Sequence, residues 1–299
     1  MDKLYQDLCN ISGRESVSLS EDMKKYTTFK AGGCAKYFVC PDNVDSLAEL
    51  ISYLNNNDIN HYVIGNGSNL LVKDEGYDGV IVKIGSKFGN IQIENDEMVC
   101  GAGAFVAKAA NMAGEQALSG LEFAAGIPGM IGGAAAMNAG AYGGEFKDII
   151  ETVWVLDSRG KEFSLNNRQM EFGYRSSIIQ RMDYIVTAVK LKLIRGSREK
   201  IVDKMNGYLD ARREKQPLEY PSAGSTFKRP EGHFAGKLIM DAGLAGMEVG
   251  GACVSEKHCG FIINKNNATA GDIIELMNRV SDIVFEKYNV KLEPEVKII

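Results

Sequence analysis

Gly126-Ile-Pro-Gly129-Met-Ile-Gly132-Gly133-Ala-Ala-Ala-Met-Asn138-Ala-Gly140-Ala-Tyr142-Gly143-Gly144 holds seven glycines in nineteen residues. So little side chain over so long a run lets a flat, extended ligand lie against main chain, and a flavin ring answers that description. A small-residue helix packed closely on a sheet is the competing explanation, and Gly132–Met137 fits it. A glycine inside a helix is less favourable than alanine by about 0.8–1.0 kcal/mol. Repeating that cost points to a ligand that requires bare backbone.

A second glycine site lies upstream, in Val63-Ile-Gly65-Asn66-Gly67-Ser68-Asn69-Leu70-Leu-Val72. Glycines let backbone N–H groups converge on an anion such as a pyrophosphate, and Ser68 and Asn69 add donors. Asn-Gly also signals an ordinary tight turn between strands. The stretch is neither Gly-x-Gly-x-x-Gly nor a P-loop, and Gly101-Ala-Gly103 has Val106 where a third glycine is needed. A Rossmann nicotinamide domain is therefore not expected.

Around these stretches the chain divides by pattern. Lys36–Cys40, His61–Ile64 and Val80–Ile84 read as strands, and Leu47, Leu50, Ile51 and Leu54 fall on one face of an intervening helix, giving a β-α-β opening. From about 89 to 195 come strand candidates 90–94, 97–101, 152–157 and 184–194 with a short helix from Phe105 to about Glu115, predicting an at least partly antiparallel sheet. The last strand alternates from Thr187, so one of its faces is expected to be wet or to cover a ligand.

After Arg195-Gly196-Ser197 an amphipathic helix aligns Ile201, Met205, Tyr208 and Leu209, and a further domain begins. It continues through helical 234–242, strands near 252–254 and 260–263, and a long helix opened by the capping-box pattern Thr269-x-x-Asp272. Residues 290–299 read as a strand that Pro294 pushes toward an edge or bulge.

A net charge of −5 offers no general attraction for nucleic acid or an anionic membrane, so a small-molecule partner is expected. No apolar run is long enough to span a bilayer, and the polar N-terminus carries no signal-peptide pattern, which predicts a cytoplasmic protein without membrane insertion. The six cysteines include no Cys-x-x-Cys and only three histidines occur, so reduced, buried thiols and no metal site are expected.

Gly65-Asn-Gly-Ser-Asn69, Gly126-Ile-Pro-Gly129 through Asn138-Ala-Gly140-Ala141-Tyr142-Gly, Gly173-Tyr174-Arg175-Ser-Ser177, Ala223-Gly-Ser225-x-Phe-Lys228, Val254-Ser-Glu-Lys-His258 and Glu293-Pro-Glu295-Val occur in one order over nearly the whole chain. Together they resemble the UDP-N-acetylenolpyruvoylglucosamine reductases. The length, and the lack of an insertion after Tyr174-Arg175, are similar to the shorter type II form. The resemblance implies an α+β chain: a two-lobed FAD-binding fold of the vanillyl-alcohol-oxidase (PCMH) kind with a smaller α/β substrate-binding domain. The lobes would be 1–84, joined by the C-terminal strand 290–299, and 85–195. The substrate domain would be 196–289, in agreement with the boundaries read from pattern.

The activity so implied is NADPH-dependent reduction of UDP-N-acetylglucosamine enolpyruvate through non-covalent FAD, in peptidoglycan precursor synthesis, by a monomeric enzyme. Gly65, Asn66, Gly67, Ser68, Asn69, Leu70, Gly126, Ile127, Pro128, Gly129, Gly132, Gly133, Asn138, Gly140 and Ala141 would contact FAD. Arg175 would stabilise the enolate, which suits an always-charged guanidinium able to grip a carboxylate through two donors. Ser225 would donate the proton, and Glu295 would be its acidic partner. A serine is a weak acid and needs close placement for that task. Tyr174, Arg213, Lys215, Lys228 and His258 would contact substrate, the cations at the diphosphate. Each has a plainer reading as packing, solvation or a structural hydrogen bond. One departure stands out: the familiar Gly-Ser-x-Phe-Lys-Asn-Pro is here Gly224-Ser-Thr-Phe-Lys228-Arg229-Pro230. A flavin oxidase of the same fold and a non-catalytic nucleotide-binding protein are the alternatives.

Overall fold

The computed structural model describes residues 2–299, and by internal contact the chain forms two units. The first comprises Met1–Leu19, Tyr37–Gly65 and Gly79–Ala211, and the second Ser20–Lys36, Asn66–Asp78 and Arg212–Ile299.

In the first unit the β-α-β opening forms as expected. Helix Val44–Asn56 is closed at its start by a reciprocal Asn43–Ser46 capping box and buries Leu47, Leu50, Ile51 and Leu54. Strand His61–Ile64 then pairs in parallel with 80–83, His61 opposite Val80 and Ile64 opposite Lys83. A helix not anticipated from the polar N-terminus, Lys3–Ser12, packs on Val44–Asn56.

The other sheet of this unit has five strands in the order Glu162–Asn166, Ile150–Leu156, Ile185–Lys192, Glu97–Gly101, Ile91–Glu94, every neighbouring pair antiparallel. Alternation in Ile185–Lys192 buries Val189 and Leu191 and turns Lys190 and Lys192 outward. That outer face is occupied by ion pairs, Lys190 with Glu97 at 2.8 Å and Glu151 at 3.1 Å and Lys192 with Asp96 at 3.1 Å. It is wet rather than ligand-covered. On the inner side lies the short helix Ile131–Ala136.

The second unit has its own core, built from Phe29, Leu71, Phe227, Ile239, Ile262, Ile273, Leu276 and Val280 among others. Strands Glu248–Val249, Ala252–Val254 and Ile262–Asn264 form an antiparallel sheet under helix Ala270–Tyr288. That helix opens on the expected Thr269–Asp272 capping box. The C-terminal segment is less regular than predicted. Only Lys297–Ile298 forms a ladder, parallel to Leu70–Leu71, while Pro294 makes a single bridge to Phe227. A proline has no N–H to continue a ladder, so the segment changes partner at that point.

Of the cysteines, Cys100, Cys253 and Cys259 are buried free thiols, but Cys34 is exposed, against the expectation that all would be buried. Among the described residues no helix is long and apolar enough to cross a membrane.

Candidate functional site

The glycine-rich run of the first unit separates into residues the protein itself requires and residues it does not. A Cβ at Gly132 would come within 2.8 Å of Ala102 Cβ, so that glycine lets the helix seat on the sheet. Gly140 makes room for Glu145, whose Cγ would lie 2.8 Å from an added Cβ, and Gly144 for the Phe123 ring at 2.6 Å. Gly133 is different: it is exposed, nothing lies within 4 Å of an added Cβ, and alanine would suit its helix better. At Gly65 the nearest atoms to an added Cβ belong to Met130 at 3.5 Å, an ordinary contact. At these two positions nothing in the protein requires bare backbone. Gly126, Ile127 and Gly129 are half-buried and Pro128 is exposed. The carbonyl of Gly129 accepts from Val106 N–H at 3.1 Å. Ala141 pairs with Gly144 across the turn of a small hairpin.

Lys83, which no sequence motif marks, donates its Nζ to the Gly65 carbonyl at 2.8 Å, and burial lowers its pKa from the ordinary lysine value. It fixes the exit of strand His61–Ile64 just where the upstream glycine stretch begins.

Asn138 and Arg175 belong to one network. Asn138 is fully buried, and its Nδ2 donates to Glu145 Oε2 and to the Gly173 carbonyl, both at 3.0 Å, while its Oδ1 accepts from Lys147 N–H at 2.9 Å. Gly173 opens a tight turn closed by Ser176, with Tyr174 and Arg175 at its centre. Arg175 has a φ of 52°, a left-handed conformation normally left to glycine or asparagine at this place in a turn. Holding a long side chain there costs of order 1–3 kcal/mol. Its Nη2 donates to the Gly140 carbonyl at 3.4 Å, and its guanidinium stands 5.2 Å from the centre of the half-exposed Tyr174 ring.

In the second unit the Gly67 loop is held from one side by main chain. Gly67 has φ 59°, an added Cβ there would meet the Tyr26 carbonyl oxygen at 2.0 Å, and the Gly67 carbonyl accepts from Thr28 N–H at 3.2 Å. Beside it Thr27 and Thr28 present buried hydroxyl oxygens with no hydrogen-bond partner. Buried hydroxyls are nearly always paired, so two orphans next to a glycine loop are suited to an absent polar ligand such as a cofactor pyrophosphate. The orphaned hydroxyls of this unit fit the polar part of FAD. Sequence reading missed both threonines, since Tyr26-Thr27-Thr28-Phe29 carries no glycine or charge signal. Asn66 and Ser68 are half-buried, Leu70 is buried, and Asn69 donates Nδ2 to the Glu295 carbonyl at 3.0 Å.

Main chain joins Glu295 to Thr226, the residue that follows Ser225. Thr226 is fully buried; its carbonyl accepts from Glu295 N–H at 2.8 Å, its N–H donates to the Gly260 carbonyl at 2.8 Å, and its Oγ1 accepts from Ile262 N–H at 2.9 Å. Ser225 itself is exposed and Glu295 half-buried. His258 joins the same corner, its Nδ1 accepting from Gly260 N–H at 3.1 Å and its pKa lowered by burial, so it is held neutral. Lys228 pairs with the exposed Glu293 at 3.3 Å. Arg213 and Lys215 lie at the end of helix Arg198–Lys215, and the Arg213 carbonyl accepts from Lys257 Nζ at 2.8 Å. Arg229, at the departure from the familiar motif, stacks its guanidinium 3.9 Å from the Phe234 ring centre.

Two family models match. Residues 35–166 match an FAD binding domain, and residues 216–299 match the C-terminal domain of UDP-N-acetylenolpyruvoylglucosamine reductase. The chain is 50% identical to the UDP-N-acetylenolpyruvoylglucosamine reductase of Clostridium botulinum strain Hall, covering 97% of this chain and 94% of that one. It is also 50% identical to that of Lachnoclostridium phytofermentans, with 99% and 97% covered. Among solved structures, the UDP-N-acetylenolpyruvylglucosamine reductase of Thermus caldophilus superposes with a TM-score of 0.81 at 35% identity, over 94% of this chain and 97% of that one. The glucose dehydrogenase Phl p 4.0202 shares the fold alone, with a TM-score of 0.50 at 13% identity over 66% of this chain and 45% of its own. The fold is thus α+β, with an FAD-binding part of the PCMH kind. The chain belongs to the UDP-N-acetylenolpyruvoylglucosamine reductase family of flavin-dependent oxidoreductases, which serve peptidoglycan precursor synthesis.

Proposed function

We propose that this chain reduces the enolpyruvyl ether of UDP-N-acetylglucosamine enolpyruvate to UDP-N-acetylmuramate, in the cytoplasm and as a monomer, with NADPH as the source of electrons. The observation that supports this reading is the main-chain bond from Glu295 N–H to the carbonyl of the buried Thr226, the residue after Ser225, which ties together two motifs far apart in sequence. A flavin oxidase acting on an alcohol has no need to deliver a proton to carbon. FAD, when bound, supplies hydride transfer.

The chain's own residues do the rest. In the first unit, main chain at Gly65, Gly126–Gly129 and Gly133 and around Gly140 is assigned to FAD. In the second, Asn66–Leu70 with the Thr27 and Thr28 hydroxyls are assigned to its polar part. Arg175 grips the substrate carboxylate as negative charge develops beside it, a charge-assisted contact stronger than a neutral one. Ser225 donates its hydroxyl proton to the carbon next to that carboxylate, and Glu295 orients and polarises the donor. Tyr174, His258 and the cations Arg213, Lys215 and Lys228 are assigned to the sugar nucleotide. We place the FAD lobes at 1–84 with 290–299 and at 85–195, and the substrate-binding domain at 196–289.

Ser225→Ala separates these roles. NADPH should bleach the flavin of this variant at near the wild-type rate, while turnover of the sugar nucleotide falls by about 10²–10⁴-fold, the usual contribution of a positioned general acid. Equal loss in both half-reactions would reject Ser225 as the proton donor.

A further inference from the structure

Glu145 takes no part in the reaction as assigned above, yet its carboxylate stands in the network that holds Arg175. Strand pairing sets Glu145 opposite Gly140, the residue whose carbonyl accepts from Arg175 Nη2 at 3.4 Å. Glu145 Oε2 takes the Asn138 Nδ2 donor at 3.0 Å and the Lys147 ammonium at 2.7 Å. The same Asn138 nitrogen binds the carbonyl of Gly173, which opens the Arg175 turn, at 3.0 Å. The lack of a side chain at Gly140 leaves the space that the Glu145 stem occupies. Glu145 is therefore paired with Gly140, whose carbonyl accepts from the guanidinium, and its carboxylate binds the same Asn138 that holds the carbonyl opening the Arg175 turn. The Glu145 carboxyl is held below the usual carboxylate range, first by Lys147, then by Asn138 and by the Arg175 charge, so it is ionised at neutral pH.

We propose that Glu145 is a positioning residue for Arg175: its carboxylate, fixed by Asn138 and Lys147, is the counter-charge that holds the guanidinium in one orientation toward the substrate carboxylate. An arginine in a strained turn has many ways to point its long side chain, and each wrong one removes charge from where it develops in the reaction. Misplacement of a reacting group by about 1 Å can lower a rate 10²-fold. This inference rests on the assignment of Arg175 given above.

Glu145→Gln removes the charge and keeps an acceptor for Asn138. The variant should bind FAD, be bleached by NADPH as the wild type is, and unfold in one cooperative step at a urea midpoint lowered only by the lost Lys147 ion pair. In anaerobic single-turnover reoxidation by the enolpyruvyl UDP-sugar it should be slower by about 10–100-fold. In an Arg175→Ala background the same substitution should have almost no further effect, because residues acting through one another are non-additive. An equal factor in both backgrounds, or no effect in the wild-type background while Arg175→Ala is crippled, would overturn the role of Glu145 and leave Arg175 in place. Full turnover by Arg175→Ala alone would instead remove the Arg175 assignment, and this inference with it. If Glu145→Gln does not fold, Glu145→Asp, which keeps the charge but withdraws it from Asn138, takes its place in the same cycle: slowing that vanishes in the Arg175→Ala background supports the role, and slowing equal in both backgrounds, or none, overturns it.

Discussion

Thr226 shows what a single buried hydroxyl does in this corner. Its Oγ1 is the acceptor for Ile262 N–H, and its main chain links Gly260 on one side to Glu295 on the other. In Thr226→Val the shape is kept and the Ile262 N–H is left buried without a partner, which costs about 1–3 kcal/mol. Urea unfolding should register that loss, and Thr226→Ser should recover most of it; a valine variant as stable as the wild type would remove Thr226 as the keystone. Motif reading finds Ser225 and Lys228 on either side and passes over Thr226, because its partners lie far along the chain and a lone threonine carries no periodic signal. Thr27, Thr28, Lys83 and Glu145 escape it for the same reason. Conversely, glycine content alone cannot separate room for a ligand from room for Ala102 at Gly132, Glu145 at Gly140 or Phe123 at Gly144.

Among the elements, those whose stability is local are the most legible. Helix Val44–Asn56 and helix Ala270–Tyr288 carry their own caps and a periodic apolar face, and both form where the pattern predicts. The segment 290–299 is shorter as a strand than its pattern predicts because its partners, Phe227 and Leu70–Leu71, are set by tertiary packing rather than by its own alternation. Helix Ala270–Tyr288 also has a non-local cap: Asp74 accepts from Ala270 N–H at 2.8 Å and Gly271 N–H at 2.7 Å. A carboxylate there satisfies two end N–H groups and complements the helix dipole. Asp74→Ala should therefore lower stability by about 1–2 kcal/mol, with Asp74→Asn milder. Unchanged unfolding of the alanine variant would show that Asp74 is not a working cap.

For the whole molecule, the order of motifs along the chain is enough to indicate a flavin reductase, because each motif encodes a local turn or loop that survives without knowledge of its neighbours. The composition of the two units is not readable that way: 66–78 groups with 212–299 through the pairing of Leu70–Leu71 with Lys297–Ile298, a contact more than two hundred residues apart in sequence. The chemistry assigned to the chain reduces to one transfer, from NADPH through flavin to an enolpyruvyl double bond. Under anaerobic conditions NADPH should bleach the flavin absorbance of the purified protein, and UDP-N-acetylglucosamine enolpyruvate, added next, should restore it in proportion to the amount supplied, whereas UDP-N-acetylglucosamine should leave it bleached. A flavin that stays reduced in the presence of the enolpyruvyl compound would contradict the account.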